Sequence, residues 1–152
     1  WNFTPDDRGS SGRTEAWSED PLLPEGFYRV QTSDYVDSGF TRGHMCPSGD
    51  RTVTANDNSF TFLMSNMVPQ TSHNNAGVWN EFENETRNLG AAGNEVLIIC
   101  GPSGFSGARI TSGAAAIPAY VWKVAVVVPA GTAPITERIT TSTRVIAIKV
   151  PN

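Results

Sequence analysis

One amphipathic helix is written into residues 73–90, HNNAGVWNEFENETRNLG, and it limits what the rest of the chain can build around it. Asn75, Trp79, Glu83 and Arg87 recur at every fourth position. At 3.6 residues per turn they lie along one side, drifting by about 40° per step. Val78, Phe82 and Leu89 form an apolar stripe beside them. Ser72 or Asn74 can cap the start, and Gly90 stands where the helix is expected to stop. Most surface helices alternate Glu and Lys, whereas this one strings an amide, an indole, a carboxylate and a guanidinium along one line. Taken alone, Glu83 and Arg87 read equally well as a solvated i,i+4 pair.

The remaining segments read as strands and loops. The runs EVLIIC (95–100), YVWKVAVVV (120–128) and TRVIAIKV (143–150) are strand-like, and SFTFLMS (59–65) and FYRV (27–30) are shorter candidates. Gly, Ser, Pro and Asp mark residues 1–24 and 33–51 as turn and loop, and the small residues of 103–118 as a surface excursion. Several strands with one clear helix, at about residues 74–89, give an α+β fold with a mixed or antiparallel central sheet. At 152 residues the chain suits a single domain spanning 1–152.

Charge narrows the function classes. The formal net charge is −4 and the pI about 5.1, so contact with a polyanion has to be local and not a coating by bulk electrostatics. The basic residues are mostly Arg, the side chain that grips phosphate with two parallel donors. No apolar run approaches the length of a membrane span. Cys46 and Cys100 are compatible with one disulfide in a secreted or extracytoplasmic protein, with two buried thiols as the alternative.

The loop TRGHMCPSGDR (41–51) sets Arg42, His44, Asp50 and Arg51 among glycines. A histidine next to an arginine suits phosphodiester cleavage: the guanidinium holds the phosphate, and an imidazole of ordinary pKa near ~6.5 takes a proton from water. In isolation a loop histidine is as readily a solvated one.

The joint pattern resembles the DNA/RNA non-specific endonucleases of the ββα-metal (His-Me finger) class. Arg42-Gly43-His44 matches the family's Asp-Arg-Gly-His motif, Ser65-Asn66-Met67-Val68-Pro69-Gln70 its Ser-Asn-x-x-Pro-Gln, and Asn75, Trp79, Glu83 and Arg87 its helix. Ile99-Cys100-Gly101-Pro102 and Tyr120-Val121-Trp122-Lys123 resemble its sheet segments. Thr41 departs from the family, standing where Asp is usual. The resemblance also makes the chain look short at both ends. It implies an upstream strand before Trp1 carrying a further phosphate-contacting arginine, and a terminal segment after Asn152.

What the resemblance implies is a sugar-non-specific endonuclease that hydrolyses DNA and RNA to 5′-phosphate and 3′-hydroxyl ends. His44 resembles the general base. Asn75 resembles the single direct protein ligand to a divalent metal, Mg²⁺ by family habit, with Mn²⁺ or another divalent ion as alternatives. Glu83, about 12 Å further along the helix, corresponds to a carboxylate that holds metal-bound water. Arg42 and Arg87 correspond to phosphate-gripping groups, Arg51 to a phosphate contact or a scaffold residue, and Asn66 to an amide that orients the site. A Cys46–Cys100 disulfide would tie the histidine loop to the sheet. The rival readings are a catalytically silent relative that binds nucleic acid or protein, and a glycan-binding module using Trp17, Tyr120 and Trp122. A homodimer and an inhibitor partner are compatible with the sequence.

Overall fold

The computed structural model describes all 152 residues. Its centre is a four-stranded antiparallel sheet in the order β1-β4-β5-β6: β1 (Asn2–Phe3), β4 (Asn94–Arg109), β5 (Ala116–Pro129) and β6 (Arg144–Pro151). The apolar runs seen in the sequence become the paired middle of β4 and β5, with Val96 opposite Val127 and Ile98 opposite Ala125. Residues 103–109 and 116–118 continue this hairpin, so the expected surface excursion is its far end. A separate two-stranded ribbon pairs β2 (Thr41–His44) with β3 (Met67–Gln70). This ribbon and the helical stretch that follows it make the ββα unit.

That helical stretch is not the single helix expected. It begins as a short turn, α2 (Ser72–Asn74), capped by Thr71, whose hydroxyl accepts from the Asn74 N–H. A wide turn follows at Asn75–Trp79, broken at Gly77 (φ −95°, ψ −119°), and α3 (Asn80–Ala91) continues beyond it. Glycine is the weakest helix former after proline, and the break falls on it. Asn75 therefore belongs to a different straight segment from Glu83 and Arg87.

Two strand expectations fail. Residues 27–30 form no strand. Residues 59–65 contain the end of α1 (Ala55–Phe60) and a 3-10 turn, Met64–Asn66. Helix α1 starts at Thr54, whose side chain caps Asp57 N–H, and the buried Asn58 binds the carbonyls of Ser48 and Arg51. Phe60, Phe62 and Met64 would share one face of a strand, yet Phe60 is exposed while Phe62 and Met64 are buried, an arrangement made by turns and not by a pleat.

The core is distributed in three patches. Phe3, Phe82, Val96, Ile98 and Ala125 join α3 to the sheet. Val68, Trp79 and Val121 join the ribbon and the broken helix to β5. Tyr35, Met64, Met67 and Ile110 sit under the long loops. Gly43 has a close-approach role in the ribbon: a Cβ there would lie 1.7 Å from the amide oxygen of the fully buried Gln70. No helix is long and apolar enough to cross a membrane.

Candidate active site

A cleft of about 540 Å³ opens between the ribbon and the broken helix. Arg13, Trp17, Thr41, Arg42, His44, Asn75, Glu83 and Arg87 line it, together with the 47–49 loop. The structure thus brings together His44, Arg42, Asn75, Glu83 and Arg87.

His44 closes β2 and is nine-tenths buried. Its carbonyl accepts from the Trp79 indole N–H at 3.0 Å, which joins the ribbon to the helix. The imidazole stacks against Trp17 (5.4 Å) and Phe62 (5.1 Å), and its Nε2 has no hydrogen-bond partner. Burial lowers its pKa to about 4. Arg13 and Arg42 add to the shift by repelling a second positive charge, while Glu15 opposes it.

The sign of the resulting pH dependence is definite. A group held neutral in the folded state binds its proton later than in the unfolded chain. Stability therefore falls as pH drops from the ordinary histidine value of ~6.5 toward about 4, by a total on the order of 3 kcal/mol. Urea unfolding at steps between pH 7 and pH 4 should show this loss, reduced in His44→Ala. Equal pH slopes in the two proteins would contradict it.

Asn75 is oriented by Thr41. The Thr41 hydroxyl gives its one hydrogen to the Gln70 carbonyl at 2.9 Å and so can only accept from Asn75 Nδ2, at 3.1 Å. Asn75 itself lines the cleft, and its Oδ1 accepts no hydrogen bond from the protein. The threonine in the family's aspartate position thus does an orienting task with no charge.

Glu83 is buried, with Oε1 3.4 Å from the Lys123 ammonium. Burial raises its pKa, and Lys123 and then Arg87 counter that shift. Arg87 donates to the fully buried Asp50 at 2.9 Å and to Asn84 at 2.8 Å. Arg42 lies over the Trp17 ring at 4.0 Å, and Arg13 over Phe62 at 4.8 Å. Arg13 also binds Ser48 and Glu15. It brings a third guanidinium to the cleft and is the lining residue that sequence reasoning missed. No motif surrounds it.

Two expected residues lie elsewhere. Arg51 binds the carbonyls of Asp50 and Asn2 and pairs with Asp7 at 3.3 Å, away from the cleft. Asn66 ties the loop behind His44: its amide receives the Cys46 N–H and donates to the carbonyls of Cys46 and Thr61. His73 is exposed.

The expected Cys46–Cys100 disulfide is corrected, because both thiols are free. Asn66 pins the backbone of Cys46, which lines a separate pocket with Arg51, Phe60 and Thr61. Cys100 instead packs its sulfur on Met45. Burial pushes the Cys46 thiol up to about 12 and that of Cys100 to about 11, so neither supplies a reactive thiolate at neutral pH.

The model of the DNA/RNA non-specific endonuclease family matches residues 1–151. The chain belongs to that family. It is 41% identical over its full length to a protein named Nuclease from Nostoc sp. (strain PCC 7120 / SAG 25.82 / UTEX 2576) and spans 55% of that relative. Human Nuclease EXOG, mitochondrial, is 40% identical over 83 residues, 55% of this chain and 22% of the relative. A chain from the crystal structure of the EndoG/EndoGI complex, described as a mechanism of EndoG inhibition, superposes with a TM-score of 0.79. The match covers 99% of this chain and 64% of that one at 23% identity, which shows a shared fold. The α+β expectation holds, and the family is a metal-dependent class of nucleases.

The cleft residues fit a hard divalent cation. Asn75 offers an unpaired amide oxygen and Glu83 a second carboxylate oxygen without a protein donor. No cluster of three or more His, Cys, Asp or Glu side chains converges anywhere in the structure, the cleft included, so a cation held here would rest on an amide and on water. One amide ligand suits Mg²⁺, which keeps most of its waters.

Proposed function

We propose that this chain is a metal-dependent endonuclease that hydrolyses DNA and RNA phosphodiesters with little regard for sequence or sugar. The observation that carries this reading is one cleft holding an unprotonated histidine, an unpaired amide oxygen and three arginines. Arg42 and Arg13, held by aromatic faces, and Arg87, held by Asp50, grip the non-bridging oxygens. His44 accepts the proton of the attacking water. The incoming phosphate neutralises the same arginines that repel this proton, so the base strengthens as substrate binds. A divalent ion on Asn75, Mg²⁺ or Mn²⁺, would supply charge neutralisation at the phosphate and the departing oxygen. Water as nucleophile makes no call on a 2′-hydroxyl, so DNA and RNA both serve, and departure of the 3′ oxygen leaves 5′-phosphate and 3′-hydroxyl ends.

Contacts are to phosphate, so affinity is expected to fall steeply with salt. Free thiols remove the redox argument for an oxidising compartment, and secretion stands on no structural feature. The silent-relative reading draws on Thr41 and on the short ends, and Thr41 here orients Asn75.

Plasmid nicking and RNA degradation in Mg²⁺ test the reading. Both substrates should be cut, and EDTA should stop both. Cutting that survives EDTA, or binding without cutting in Mg²⁺, would overturn it.

A further inference from the structure

Lys123 lies on β5 beneath α3 and is 1% exposed. A buried ammonium is costly unless an anion accompanies it. The acid that faces it is Glu83 on α3, with Nζ 3.4 Å from Oε1. The nearby Asp50 is already paired with Arg87. Indole faces supply the rest of the Lys123 surroundings: Trp79 at 4.1 Å and Trp1 at 5.7 Å. These rings exclude water and leave the ammonium one strong acceptor. Glu83 also lines the cleft, and its Oε2 accepts no hydrogen bond from the protein.

We propose that Lys123 is a positioning residue for Glu83. It fixes Oε1 from below, which turns Oε2 toward the cleft as an acceptor for the hydration shell of the cation on Asn75. This rests on the metal-dependent reading above and assigns a task to a sheet residue outside the cleft lining.

The test is Mn²⁺ binding, read from the electron paramagnetic resonance signal of free Mn²⁺, in a His44→Ala background where turnover does not intervene. Glu83→Gln and Lys123→Met should each weaken binding by about 10-fold or more. The double variant should be no weaker than the worse single one, because both remove one arrangement. Phe82→Leu serves as a control that loosens α3 without touching the pair, and it should bind as the parent does. Should Lys123→Met not fold, Lys123→Gln carries the same comparison.

If Glu83→Gln weakens binding and the Lys123 variant does not, the inference is overturned and the metal reading stands. Additive effects, or equal weakening by Phe82→Leu, also overturn it. If Glu83→Gln leaves binding unchanged, Glu83 does not hold the cation's hydration shell and this inference fails, while the reading of Asn75 as the ligand stands.

Discussion

Replacing His44 with alanine is expected to lower turnover by about 10²- to 10⁴-fold, the usual worth of a positioned general base. The fold should survive, because the residue's link to the helix runs through its backbone carbonyl and Trp79. Metal dependence should be unchanged, because His44 does not share the Asn75 hydrogen bonds. Single-turnover cleavage across a Mg²⁺ series checks all three points. A variant that retains more than a tenth of parental turnover would remove His44 from the role of base.

Asn75→Ala should behave differently. It deletes the unpaired amide oxygen of Asn75, and apparent metal affinity should fall by about 10- to 100-fold together with activity. The half-saturating Mg²⁺ concentration separates the two variants: it moves in Asn75→Ala and stays in His44→Ala. An unmoved half-saturation point in Asn75→Ala would place the metal elsewhere.

The cleft was legible in the sequence to the extent that its residues come from short, regular spacings. Arg42 and His44 are two apart on one strand, and Glu83 and Arg87 four apart on one helix, so local geometry alone puts each pair on one side. The family pattern then joined the pairs. Arg13 was not legible, because a loop arginine reaches the cleft only through tertiary packing against Ser48 and Phe62. Lys123 could be assigned to a strand, but not seen to lie under Glu83.

Secondary structure failed where two local signals competed. Residues 59–65 carry apolar side chains on both faces of a would-be strand, yet Thr54 and Asp57 just upstream form a helix cap, and the cap won. A residue pair four apart also promises a common helix face only if no break intervenes, and Gly77 intervenes between Asn75 and Trp79. The cysteine count permits a disulfide, but a count does not bring two sulfurs together: Cys46 lines a separate pocket and Cys100 packs on Met45.

The order of the strands bears on how the cleft is assembled during synthesis. Every group that lines it lies at or before Arg87, whereas its support from Lys123 and Val121 comes on β5. β1 also waits for β4 before it can pair. A nascent chain ending before Ala116 thus carries all the reactive side chains and no floor to hold them. Closing these long-range contacts is a late and comparatively slow event. The cleft therefore takes its final shape only once β5 has been made and paired with β4.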